Sequence, residues 1–261
     1  MGKIIAITNQ KGGVGKTTTA VNLAASMAKL GKRILLVDLD PQGNATSGLG
    51  INKQEVETST YELMLGEAGF KQALLPNVFP RLSLLPSSID LAAAELDLAS
   101  AERKEFILKK ILEKQRKNFD YIMIDCPPSL NTLTINAMCA ADSAIVPIQC
   151  EYYALEGLSQ LLQTIKLVTE RMNAELSIEG ILFTMYDGRT NLSQDVVENV
   201  RNNLDLYIYK TKIPRNVRLA EAPSFGLPVI QYDPRSAGAV SYMKLAREVI
   251  KINKKAKKKE A

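Results

Sequence analysis

The segment Asn9-Gln10-Lys11-Gly12-Gly13-Val14-Gly15-Lys16-Thr17-Thr18 constrains this chain more than any other. It follows a short apolar run at residues 3–8 and opens directly into a helical pattern at 16–30, where Val21, Leu23, Ala24 and Met27 recur at helical spacing. Three glycines let a backbone fold closely round an anion with its N–H groups turned inward. The helix behind them adds the positive end of its dipole. In a loop of this kind Lys16 reaches the β- and γ-phosphates of a nucleoside triphosphate, and Thr17 holds Mg²⁺. The spacing departs from the common G-x-x-x-x-G-K-[ST] form: Gln10 stands at the first glycine position, and a second lysine, Lys11, opens the loop.

Short apolar, β-rich runs alternate with longer helical patterns along the rest of the chain. Strands are expected at 33–38, 82–86, 121–125, 143–147 and 178–184, with a further short one at 229–232. Helices are expected near 91–99, 102–117, 130–140, 155–172, 193–203 and 239–251. Near-continuously apolar strands covered by helices indicate a parallel sheet buried on both faces. The expected fold is therefore α/β, a doubly wound, mostly parallel sheet flanked by helices, formed by one domain over residues 1–252. Residues 253–261 read as a disordered Lys-rich tail. The last eleven residues hold six Lys and one Glu, so they carry the whole formal net charge of +5 and leave residues 1–250 neutral.

Two carboxylate motifs complete the chemistry. The second strand ends in Asp38-Leu39-Asp40-Pro41-Gln42-Gly43-Asn44, and a carboxylate just past the carboxyl end of a strand lies where ligands bind in such sheets. Asp40 is expected to orient the attacking water, while Asp38 serves structure or Mg²⁺ contacts. Tyr121-Ile122-Met123-Ile124-Asp125 is a strand ending in a rigid carboxylate that faces the Mg²⁺ shell. The chain has no His, so catalysis must run on carboxylates, Lys, backbone amides and a bound cation. Its three Cys are scattered, with no CxxC pair, which excludes a disulfide framework or a zinc site and fits a reducing cytosol. Cys126 has no His to activate it and reads as a packed thiol. The N-terminus leads straight into a strand pattern and shows no signal peptide.

Together these stretches resemble the ParA/Soj chromosome-partitioning ATPases, within the ParA/MinD group that carries K-G-G-x-G-K-T-T. The resemblance extends through the blocks Gln149-Cys150-Glu151-Tyr152-Tyr153-Ala154-Leu155-Glu156-Gly157 and Ile213-Pro214-Arg215-Asn216-Val217-Arg218-Leu219-Ala220-Glu221-Ala222-Pro223. It implies that Lys11, Gly12, Gly13, Val14, Gly15, Lys16, Thr17 and Thr18 carry the phosphates of ATP and that Pro214 and Asn216 lie near the adenine. Catalysis then falls to Lys11, Lys16 and Asp40, with Thr17 and Asp125 at the Mg²⁺. The resemblance also implies an ATP-dependent homodimer in which Lys11 crosses to the partner's phosphates, the task of an arginine finger. It further implies a ParB-like partner that stimulates slow hydrolysis. Non-specific double-stranded DNA would be held by Arg189 and Arg218, with Arg215 and Arg235 as possible additions to the patch and a cytoplasmic, nucleoid-associated location.

The rival reading is a MinD-like ATPase that cycles on membranes. It needs a C-terminal amphipathic helix with bulky apolar residues, whereas the residues beyond Ile252 are mostly Lys. No membrane partner is therefore expected. An iron–sulfur carrier would need paired cysteine ligands. With Lys3 already in the first strand, an N-terminal helix-turn-helix is not expected either.

Overall fold

A computed structural model describes residues 1–151 and 154–260 of the chain. Tyr152 and Tyr153 of the first signature block lie outside the described residues, as do Ala261 and the side chains of residues 154–156 and 257–260. Seven strands form one sheet: β1 (Lys3–Ile7), β2 (Ile34–Asp38), β3 (Leu75–Phe79), β4 (Leu82–Leu85), β5 (Tyr121–Asp125), β6 (Ser143–Gln149) and β7 (Ser177–Thr184). Their order is β3-β4-β2-β5-β1-β6-β7, and every pairing is parallel except β3 with β4. The expected doubly wound α/β sheet is the architecture observed.

The alternation of side chains along each strand sorts the core into two layers. Ile4, Ala6, Leu35, Val37, Ile122 and Ile124 pack on one face with residues of the helices Thr132–Ala140 and Ala154–Arg171. Ile5, Ile7, Ile34, Leu36 and Met123 pack on the other with the helix Lys16–Lys29 and the C-terminal helix Ala237–Glu260. Both faces of the central strands are dry, which is why their sequences read as unbroken apolar runs. The register sets the site: Ile7 and Asp38 are both partners of Asp125 across their strand pairs. The carboxyl ends of β1, β2 and β5 are therefore neighbours.

Several expectations are corrected. Residues 229–232 are a short helix, Val229–Tyr232, begun by Pro228 and anchored where the Val229 N–H donates to Asn22 Oδ1 at 2.7 Å. A four-residue apolar run cannot declare its own period, and contact with the helix Lys16–Lys29 decided it. The pattern at 91–99 resolves into two short turns, and that at 102–117 into a helix of only Ile107–Glu113 after a turn at Lys104–Phe106. Strand β3 was not expected, since it carries Pro76 and a positive φ at Asn77, as an antiparallel edge tolerates.

The boundary drawn at residue 253 falls inside a helix. Ala237–Glu260 runs straight through it, and Asn253 is buried. Its side chain donates to Glu179 Oε1 at 2.7 Å and accepts from Lys3 Nζ at 2.6 Å. Glu179, itself buried, also takes Lys3 Nζ at 2.5 Å and Ser143 Oγ at 2.6 Å. A buried carboxylate needs such partners, and meeting that need draws the helix past the point where apolar periodicity ends.

Candidate functional site

The chain leaves β1 into the glycine loop and re-enters regular structure at Lys16. Gly13 and Gly15 have φ of +75° and +84°, a region that side chains with a Cβ avoid, so the turn depends on glycine there. The helix Lys16–Lys29 has Gly15 at its N-cap with no side-chain cap and no acidic residue in its first turn. Its first N–H groups are thus left for an anion. Asn9 braces the loop entry, accepting from Lys11 N at 3.0 Å and donating to the Pro147 carbonyl at 2.7 Å. Thr184, at the end of β7, braces the exit by donating to the carbonyls of Val14 at 2.8 Å and Ile148 at 3.1 Å.

The two lysines of the loop lie in different surroundings. Lys16 is buried, and its ammonium donates to the Lys11 carbonyl at 2.9 Å. Burial lowers its pKa, against the opposing pull of Asp125 and Asp40. Lys11 instead extends to Glu151 beyond β6, in an ion pair of 2.5 Å whose side chains are 39% and 42% exposed.

Three carboxylates gather at the strand ends, and two of them, Asp125 and Asp40, act on Lys16. Asp38 is fully buried and accepts from Thr46 N at 2.8 Å and Thr46 Oγ1 at 2.7 Å. Burial pushes its pKa up to about 6 despite those bonds. Asp40 lies in a tight turn, with Oδ1 accepting from Gln42 N at 2.9 Å and its carbonyl accepting from Ser87 Oγ at 2.6 Å. Asp125 is fully buried, and among the described residues neither carboxylate oxygen has a hydrogen-bond partner, although the Thr17 hydroxyl lies close enough to lower its pKa. Burial first, then the neighbouring Asp38, raise its pKa well above the usual carboxylate range. A buried carboxylate left without donors beside a threonine hydroxyl and an anion cradle suits a hydrated divalent cation shared with phosphates, which needs few protein ligands.

Beside the cradle lies a cavity of about 440 Å³, lined by Gly15, Thr18, Thr184, Pro214, Asn216 and Tyr242 among others. The segment carrying Pro214 is held against β7: Ile213 N donates to the Phe183 carbonyl and Tyr186 N to the Ile213 carbonyl, both at 2.9 Å. Asn216 Oδ1 is buried with no partner among the described residues, an acceptor available to an amino group. The fold thus brings Thr18, Pro214 and Asn216 to one cavity.

Comparison with known proteins decides the family. A family model described as an AAA domain matches residues 2–178. The sporulation initiation inhibitor protein Soj of Bacillus subtilis is 57% identical over 249 residues, covering 95% of this chain and 98% of that protein. The chain belongs to the Soj/ParA family of chromosome-partitioning ATPases. Another member, the chromosome partitioning protein ParA of Myxococcus xanthus, is 51% identical over 96% of this chain and 89% of its own length. Among solved structures, cobyrinic acid a,c-diamide synthase from Mycobacterium smegmatis with bound ADP and magnesium superposes with a TM-score of 0.86 at 38% identity, covering 97% and 96% of the two chains.

Two residues that the Soj/ParA resemblance assigned to DNA lie apart from the cradle. Arg189 is 89% exposed and pairs with Asp187 at 2.6 Å, on the loop after β7. Arg218, on the short helix Val217–Glu221, pairs with Glu221 at 2.7 Å and Asp233 at 3.4 Å. The two arginines share no acidic partner. Hydrogen bonds from Arg189 hold the Asp187 carboxyl at about 2, with a smaller pull from the charge of Arg215, and Arg235 N donates to Asp233 Oδ1 at 3.2 Å. Thr184, Ser87, Thr46 and Tyr242 were not expected in this Soj/ParA site. Thr184, Ser87 and Tyr242 come from distant segments with no local motif to betray them, while Thr46 lies just past the Asp38–Asn44 motif.

The buried carboxyls make a stability prediction. A carboxyl whose folded pKa lies above its unfolded value costs nothing below the unfolded pKa and costs progressively more as pH rises. For Asp38 that window runs from 3.8 to about 6, and for Asp125 the shift has the same sign. Asp125→Asn without nucleotide should therefore melt above wild type by about 3 °C or more near pH 8, with the gap closing near pH 4. Thermal melts across that range check it; a variant that melts below wild type at the higher pH refutes it.

Proposed function

We propose that this ATPase binds ATP and Mg²⁺, dimerises in the ATP state, and then holds double-stranded DNA without sequence preference. In this reading a ParB-like partner stimulates its slow hydrolysis, and the cycle partitions a chromosome or plasmid on the nucleoid. The observation that carries the reading is the separation of the two loop lysines. Lys16 stays in its own cradle, while Lys11 lies at the surface in a half-exposed pair with Glu151. Such a pair is worth at most about 1 kcal/mol, so Lys11 can leave it for a second subunit's phosphates.

The residues divide the work as follows. Backbone N–H groups of Gly12 to Thr18 bind the phosphates, Lys16 neutralises the β/γ oxygens, and the cavity at Pro214 and Asn216 takes the adenine. Thr17 and Asp125 would hold Mg²⁺, which supplies charge neutralisation at the β- and γ-phosphates. Asp40 orients water, and Lys11 of the opposite subunit meets charge developing at the γ-phosphate. The bound ADP and magnesium of the mycobacterial structure support the cofactor assignment.

The test is ATP-dependent co-sedimentation with plain duplex DNA and, separately, with anionic liposomes. Capture by DNA alone is expected; capture by liposomes alone would favour membrane cycling instead. No helix among the described residues is long and apolar enough to cross a membrane. Arg189→Glu and Arg218→Glu should each weaken DNA binding about tenfold or more at moderate salt, since each change reverses a phosphate-contacting charge. The ATP dimer should persist in both variants. Unchanged affinity in a gel shift would remove these arginines from the interface.

A further inference from the structure

The turn carrying Asp40 is held from three directions, and only one hold is open to solvent. On the inner side, Thr46 donates to the buried Asp38 through its N–H and hydroxyl, tying down the short helix Asn44–Gly48. From beside β4, Ser87 donates its hydroxyl to the Asp40 carbonyl at 2.6 Å and its N–H to Thr46 Oγ1 at 3.0 Å. On the outer side, the exposed Lys53 donates its ammonium to the Gln42 carbonyl at 2.7 Å. The stem of Lys53 crosses the bare Cα of Gly43, where an added Cβ would sit 2.6 Å from Lys53 Cδ. Gly43 has φ of +59°, a conformation that favours glycine, so the turn depends on glycine there.

Lys53 is itself prearranged for this contact. It opens the short turn Lys53–Glu55, capped by Asn52, whose side chain accepts from Gln54 N at 3.1 Å and donates to Glu55 at 2.8 Å. Among the described residues its ammonium enters no ion pair. The connection to Asp40 is short. Lys53 holds the Gln42 carbonyl, and the N–H of that same residue holds Asp40 Oδ1 at 2.9 Å. Rotation of Gln42 would swing the carboxylate.

We infer that Lys53 is a positioning residue for ATP hydrolysis, closing the Asp40–Gly43 turn so that the Asp40 carboxylate keeps its direction. The inference rests on the reading of Asp40 as the group that orients water. A small error in that direction is costly, because a water must be aligned with the scissile phosphate bond. The two buried holds fix the turn's base, and the Lys53 bond fixes its tip.

The experiment is ATP turnover measured against ATP concentration for wild type, Lys53→Met, Lys53→Arg and Asp40→Ala, with a thermal melt of each. Lys53→Met keeps the stem and removes the ammonium. It should lower kcat roughly tenfold while leaving the KM for ATP and the melting temperature unchanged. Lys53→Arg should recover most of the loss. An unchanged kcat in Lys53→Met beside an inactive Asp40→Ala overturns the inference and leaves the reading of Asp40 standing. A raised KM with intact kcat also overturns it, because Lys53 would then contact nucleotide. Wild-type turnover by Asp40→Ala overturns both.

Discussion

Lys16→Ala is expected to lose ATP binding by at least about a hundredfold. The ammonium sits inside the cradle, donating to the Lys11 carbonyl and facing Asp125 and Asp40. With ATP bound it would exchange that carbonyl for phosphate oxygens, in charge-assisted bonds worth about 1.5–3 kcal/mol each. Alanine removes those bonds and leaves phosphate charge opposite carboxylates. Dimerisation and DNA binding should disappear with the nucleotide. Titration with a fluorescent ATP analogue, beside circular dichroism to establish folding, measures this directly. A folded variant that binds within about threefold of wild type would contradict the role assigned to Lys16.

Asp40→Ala should do the reverse, keeping ATP while losing turnover by about 10² to 10³. Asp40 lies at the strand ends facing Lys16, but outside the Thr17–Asp125 pair that suits the cation. Its removal should therefore spare ATP and Mg²⁺ affinity. It should instead trap the ATP dimer, so DNA binding persists long after wild type has released. Phosphate release under single-turnover conditions, together with a DNA retention assay, reads both halves. Turnover within about threefold of wild type would remove Asp40 from the chemistry.

Much of this site was legible in the sequence, because its parts are contiguous. A glycine loop between a strand and a helix has its phosphate-binding geometry built from neighbouring residues, so Gly13, Gly15 and Lys16 could be placed before any contact was seen. Asp125 and Asp38 could be placed for a related reason: each ends an apolar run, and parallel strands in register bring such ends level. Other elements were not legible. The run at 229–232 became a helix because Asn22 and the core claimed it. The edge strand β3 was masked by Pro76 and by the turn-favouring Asn77 at its centre. The last helix continued past residue 252 because Glu179 and Lys3 offered Asn253 a buried network, and no local pattern records that offer.

The sequence by itself determined the α/β class, the phosphate cradle with its two lysines, and the carboxylates at the strand ends. Short-range chain geometry and side-chain periodicity suffice for those. The tertiary structure alone decided which lysine is buried and which lies half-exposed in an ion pair with Glu151, and which carboxylate is left without donors among the described residues. It also decided that Asn216, at the far end of the chain, shares a cavity with Thr18, and that a surface lysine clasps the Asp40 turn. Desolvation and pairing depend on groups brought together from distant segments, so the charge state and reach of each residue are properties of the packed molecule.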